Sequence, residues 1–170
     1  LGTAKIRVPA RVAAGGDVSA VVEYTAGPGG LDAGAVFRLE VPPGWAIPQS
    51  ADKNLAGFVK HTPGRKLKPV KKQFRKILYF ELLSALKPGG KLSFAYNYHS
   101  KSEQRPSVFE VAFLEPVEFA FDMKRNSEEK KYSRLCAADV KVTGAKAAKF
   151  MVKIPSAAHP SERADFYIAD

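Results

Sequence analysis

Apolar and polar positions alternate through most of this chain with a period of two. In residues 18–24, Val18, Ala20, Val22 and Tyr24 fall on one side. In residues 36–41, Phe37, Leu39 and Val41 share a side, with Arg38 and Glu40 opposite. That period belongs to a half-buried β-strand, so the pair predicts one edge of a sandwich core. Gly27-Pro28-Gly29-Gly30 opens the loop between them, Pro42-Pro43-Gly44 ends the second strand, and Trp45 follows as the only tryptophan. Its place after a turn predicts a plug for the end of the core.

The same pattern continues in both directions. Residues 5–12 read as a first strand. Pro9 inside it cannot donate to a ladder, which makes it an edge strand or a bulged one. Residues 77–83 are almost continuously apolar, as an interior strand requires. Lys87-Pro88-Gly89-Gly90 turns them into residues 92–98, where Leu92, Phe94, Tyr96 and Tyr98 share a face, and the two segments predict a hairpin. Strands follow at 108–114, 117–123 and 136–142, and a last pair at 149–154 and 165–170. Short strands, frequent turn signals and no amphipathic helix predict an all-β, Ig-like antiparallel β-sandwich of about nine to ten short strands. Residues 1–143 form the sandwich. Residues 144–170 form a C-terminal strand pair that completes it, opens a second Ig-like module or pairs with another subunit.

Charge adds a feature that periodicity does not show. The formal net charge is +10, which favours anionic partners. Much of the excess lies in residues 60–76, where Lys60, Arg65, Lys66, Lys68, Lys71, Lys72, Arg75 and Lys76 occur without an Asp or Glu. Pro63-Gly64 and Pro69 argue against a helix there and for a long exposed loop or an edge hairpin. One reading is a solvated segment that keeps a sheet edge from pairing with other chains. The other is a landing site for a polyanion such as an anionic polysaccharide. Nucleic-acid readers interleave aromatic side chains for stacking. Phe74 alone does so here, which argues against nucleic acid.

Candidate chemistry is sparse. His61, His99 and His159 lie apart, none with a second His or Cys at ligand spacing, so the sequence points to no metal site. Gly27-Pro28-Gly29-Gly30 joins two strands rather than opening a helix, which removes a phosphate-loop reading, and no G-x-S-x-G is present. Glu128-Glu129 and the Glu115/Glu118 pair read as solvated carboxylates. Asp17, Asp32 and Asp52 stand outside any D-x-D-x-D cluster, so loop calcium binding stays open. Cys136 is the only cysteine, which rules out an intrachain disulfide, and its apolar neighbours predict a small buried residue. No apolar run approaches the roughly 20 residues of a membrane-spanning helix. Leu1 opens the chain with no basic and no apolar leader region, so any signal peptide is expected to have been removed or never present. The expectation is a protein without catalytic residues or cofactor.

VEYTAGPGGLDAGAVFRLEVPPGW, followed by PQ and later by ALKPGGKLSFAYN, resembles the β-sandwich modules of bacterial surface and secreted proteins. It is most similar to the N-terminal region of an uncharacterised bacterial family whose large C-terminal part looks like a PHP-type metal-dependent phosphoesterase. FEVAFLEPVEFAF is similar to that family's next strand pair. GAKAAKFMVKIPSAAHPSERADFYIAD is similar to the segment opening its second Ig-like module. The chain departs from the pattern in its lysine-rich 60–76 segment and at Ser161-Glu162-Arg163, where the family has Pro-Gly-Glu. It also lacks the His-rich metal-binding part, so no hydrolase activity is carried over.

The resemblance implies an extracellular, cell-surface or periplasmic module. Its work would be structural or adhesion-type, with self-assembly through strand addition at Asp165, Phe166, Tyr167 and Ile168. The alternatives are polyanion or carbohydrate binding through 60–76, or service as the accessory N-terminal region of a metal-dependent hydrolase. Another copy of the chain or a neighbouring domain of the same protein is the partner in the first case.

Overall fold

The computed structural model describes residues 1–62, 67–74, 76–99, 106–108, 117–144, 149–152 and 166–169. Among these, all regular structure is strand, and no helix is long and apolar enough to cross a membrane. The strands are β1 (Thr3–Arg7), β2 (Arg11–Ala13), β3 (Ala20–Thr25), β4 (Val36–Glu40), β5 (Val59–His61), β6 (Leu67–Phe74), β7 (Ile77–Leu82), β8 (Lys91–Tyr96), β9 (Val117–Lys124), β10 (Ser133–Thr143), β11 (Lys149–Val152) and β12 (Phe166–Ala169). They form a four-stranded sheet, β1-β3-β8-β5, a six-stranded sheet, β2-β10-β9-β4-β7-β6, and a two-stranded sheet, β11-β12. The fold is an all-β sandwich, as the alternation predicts.

The first expected strand is in fact two. Val8, Pro9 and Ala10 separate β1, which pairs antiparallel with β3, from β2, which pairs parallel with β10. Proline removes a ladder donor, and at this point the edge chain leaves one sheet for the other. The β2–β10 pair also corrects the expectation of purely antiparallel pairing. On the opposite side the chain makes a second crossing, from β5 at the edge of the smaller sheet to β6 at the edge of the larger.

The segment around Gly15–Trp45 lies deeper than its predicted edge position. β3 and β4 are interior strands of opposite sheets, and their apolar faces meet. Tyr24 packs edge-on to Phe37 at 5.1 Å between centroids, and Phe37 stacks on Phe121 at 5.7 Å. Phe94 contacts Phe37, Phe80 and Phe121, so residues of both sheets share one core. Trp45 plugs one end, stacked on Tyr96 at 6.0 Å. The loop between β3 and β4 is held by Leu31 and Leu86, which exchange backbone hydrogen bonds of 2.8 and 2.7 Å. Gly30 sits there at φ +71°, where an added Cβ would lie 2.6 Å from the Leu86 carbonyl oxygen.

Two further expectations are corrected. β7 and β8 are not a hairpin: the turn at Lys87–Gly90 carries the chain from one sheet to the other. β8 also stops at Tyr96 because Asn97 adopts φ 50°. That turn shifts the alternation by one, and Tyr98 is 41% exposed rather than in the core with Leu92, Phe94 and Tyr96. The expected strand at 108–114 lies outside the described residues beyond Val108, which bridges Trp45.

Candidate functional site

The basic 60–76 segment divides between the two sheets. Lys60 is on β5 with its ammonium 4.1 Å from the Tyr98 ring centroid. Lys68, Lys71 and Lys72 are on β6, which pairs with β7 as an edge hairpin. Lys76 follows in the turn and lies 3.6 Å from Glu40. Arg65, Lys66 and Arg75 lie outside the described residues. So do Asp165 and His159, while Phe166, Tyr167 and Ile168 pair with Val152, Met151 and Phe150 on β11. His61 packs edge-on against Phe80. Among the described residues no three His, Cys, Asp or Glu side chains come together as a metal cage would require.

Two polar clusters that the sequence does not announce hold the framework. The first lies on the outer face of the six-stranded sheet, in a row formed by Tyr79, Arg38, Asp122 and Arg134 on four adjacent strands. Alternation alone makes Asp122 a solvent-facing residue, yet it is 2% exposed. Arg38 donates to one of its oxygens from Nε and Nη2, at 2.8 and 2.7 Å, and Arg134 donates to the other from Nε. The Arg134 Nη1 also reaches Glu118 at 2.6 Å. Those carboxylates raise the guanidinium's pKa, Glu118 foremost, against the opposing effect of burial. The Arg38 guanidinium lies 5.0 Å over the ring of Tyr132.

A β-bulge makes this row possible. The register between β9 and β10 shifts between Arg134 and Cys136, so Leu135 is the extra residue and Arg134 is re-aimed at Asp122. Cys136 lies beyond the bulge, in unbroken alternation with Ala138 and Val140, and is partly buried against the hydrophobic cluster. Burial pushes its thiol pKa up to about 11, the Asp122 carboxylate adds to the rise, and Arg134 opposes it.

The second cluster fastens one end of the sandwich. The buried Asn97 amide donates to Asp17 and to the Val18 carbonyl, and its oxygen accepts from Gly57 N at 2.9 Å. Asp17 also meets His99 Nε2 at 2.6 Å. The buried Ser107 hydroxyl accepts from Val18 N at 3.0 Å. These groups join the turn before β3, the end of β8 and the loop before β5, so their role is structural.

The outer face of the four-stranded sheet is different. Its register sets Thr3 beside Thr25 and Lys91, Lys5 beside Glu23 and Ser93, and Arg7 beside Val21, Ala95 and Lys60. Thr62 extends the middle row, with its hydroxyl accepting from Ser93 N at 2.6 Å. Glu23 is taken by Arg7 at 2.8 Å. Among the described residues, Lys5, Lys60 and Lys91 have no carboxylate within ion-pair reach. Lys5, Lys91 and Glu23 line, with the hydroxyls of Thr3, Thr25, Thr62 and Ser93, a depression of about 400 Å³. A second hollow, of about 380 Å³, lies between the Gly27–Asp32 loop and Arg125 with Asn126. The sequence contains the signal for the face in the polar half of each alternation, but cross-strand register had to be known before the residues could be joined.

Two outcomes follow from the charged row and its bulge. Arg38→Met with Arg134→Met leaves the Asp122 carboxylate covered but unpaired and costs about 3–5 kcal/mol, whereas Asp122→Ala frees two guanidiniums that already reach the surface and costs about 1–2 kcal/mol. Urea unfolding of the three proteins checks that order, and equal midpoints for the two variants contradict it. For Cys136, a folded pKa near 11 against about 8.5 unfolded means that stability falls as pH rises from about 8.5 to 11. Iodoacetamide alkylation of the native chain accordingly accelerates about tenfold per pH unit across that window. A native rate that levels off near pH 9 contradicts this reading.

No family model matches the chain, and no curated protein matches it. Among solved structures, it is similar to a cohesin module from a family 33 glycoside hydrolase of Clostridium perfringens, with a TM-score of 0.49 and 12% identity over 83% of this chain and 96% of that one.

Proposed function

We propose that the chain is a non-catalytic, extracytoplasmic module of the adhesion type that binds an anionic polymer through its outer surface. The observation that carries this reading is the uneven distribution of charge. Arg38, Arg134 and Lys76 meet carboxylates on the larger sheet, while among the described residues Lys5, Lys60 and Lys91 on the smaller sheet have none within ion-pair reach. Single exposed ion pairs contribute about 0–1 kcal/mol, so useful affinity requires a ligand that engages several cations at once. Such binding is screened by salt.

The intact chain is expected to be retained on an immobilised acidic polysaccharide at low ionic strength and released as salt rises. Neutralising Lys66, Lys68, Lys71 and Lys72 together to Gln should bring elution to clearly lower salt. Absence of retention at any ionic strength refutes polymer binding.

Self-assembly through the C-terminal strands is a second reading. A separate two-stranded sheet, β11-β12, favours it, because a lone pair of strands is only marginally stable in water. Further strands from another copy, or from a neighbouring module beginning near residue 144, would complete it. Sedimentation of the chain with and without residues 144–170 tests self-pairing: a concentration-dependent oligomer that disappears on truncation supports it, and a monomer throughout rejects it.

A further inference from the structure

We infer that the outer face of the four-stranded sheet is a binding site for an acidic polysaccharide, a polymer of sugars that carry carboxylates. This site rests on the reading of the chain as a binder of anionic polymers, and adds its position and the chemistry of the ligand.

The geometry comes from the ladder. Neighbouring strands lie about 4.8 Å apart and alternate residues about 6.8 Å apart, which puts the Cα atoms of Lys5, Lys60 and Lys91 at the corners of a triangle with sides of roughly 12–16 Å. Glu23 does not offset these charges, because Arg7 holds it at 2.8 Å. Three separated ammonium groups suit an extended ligand with repeated charges better than one compact anion. A polymer with a carboxylate on each sugar, or on every second one, can meet two or three of them at once.

The depression beside Lys5 and Lys91 selects the ligand further. Thr3, Thr25, Thr62 and Ser93 line it together with Glu23, whose carboxylate Arg7 holds, and hydroxyls at that density match the donors and acceptors of sugar hydroxyls. Tyr98 lies beneath the Lys60 ammonium, and among the described residues this single ring does not provide the series of stacking platforms on which single-stranded nucleic acids are bound. The Thr and Ser hydroxyls of the depression therefore read sugar hydroxyls, and Lys5 and Lys91 beside them read charge.

The test uses the intact chain with polygalacturonate, hyaluronate, inorganic polyphosphate and uncharged dextran, at low and at physiological ionic strength. Lys5→Gln with Lys91→Gln is expected to weaken uronate-polymer binding about tenfold. Thr25→Ala with Ser93→Ala is expected to weaken uronate polymers several-fold and leave polyphosphate unchanged. The quadruple lysine variant described above should weaken both polymers alike. In the unsubstituted protein, bound polygalacturonate should shield Lys5 and Lys91 from amine acylation, a readout that does not depend on a variant folding. Retained polyanion binding with no loss in the Lys5/Lys91 variant and no shielding overturns the site and leaves the broader reading standing. Equal losses for uronates and polyphosphate in the hydroxyl variant overturn the sugar chemistry. If no acidic polymer binds, site and broader reading both fall.

Discussion

The two sheets are held by an aromatic layer to which both contribute, and every other feature of the fold depends on that layer. Phe37 of β4 touches Tyr24 and Phe94 across the sandwich and Phe121 beside it. Phe80 and Phe94 continue the contact toward β7, while Trp45, Tyr96 and Phe119 close one end. Aromatic side chains bury large apolar areas in well-defined geometries, so a slip of either sheet by one residue would turn this whole set toward water. Register is thereby fixed on the inside, and the positions of the outward residues follow from it.

Edges are the other constraint on such a fold, since unpaired strand edges invite association. This chain manages them by crossing. Pro9 interrupts the first edge strand and sends it from β1 to β2, while on the opposite flank β5 at the edge of one sheet is followed in sequence by β6 at the edge of the other. β6 itself carries Pro69, Lys68, Lys71 and Lys72, which are residues that discourage a further strand. The lysines on β6 therefore have a sufficient reason to be there without any ligand. The same is not true of Lys5 and Lys91, which sit on a sheet face rather than along an edge.

The inward half of the pattern was legible because burial imposes it. Val22, Tyr24, Phe37, Leu39, Phe94 and Phe121 could be assigned to the core from a period of two. What could not be read was which strands are neighbours. β7 and β8 follow each other through a good turn and still belong to different sheets, since a turn sequence bends the chain without saying whether hydrogen bonding resumes across it. Phase was lost wherever one backbone position departed from extended geometry. Asn97 at φ 50° brought Tyr98 to the surface, and the bulge at Leu135 brought Arg134 opposite Asp122. The site on the smaller sheet was illegible for the same reason: Lys5, Glu23, Ser93 and Thr62 are far apart in sequence and become one row only through two antiparallel ladders and a backbone bond.

Net charge acquires meaning once it is divided between faces. On the larger sheet, cations and carboxylates stand within bonding distance, and Asp122 is buried beneath two guanidiniums. Such a network holds strands β4, β9 and β10 together and on those strands offers an approaching polyanion little unbalanced field. On the smaller sheet one carboxylate is already engaged by Arg7, and the remaining lysines are too far apart to be neutralised together by any one of the protein's own side chains. Their mutual repulsion across roughly 12–16 Å is weak in water at physiological salt, so the fold tolerates the arrangement at small cost. A ligand whose charges repeat along its length gains from all of them. The difference between the two faces thus lies in the spacing of the cations, and that spacing is what makes the smaller sheet a surface for a polymer.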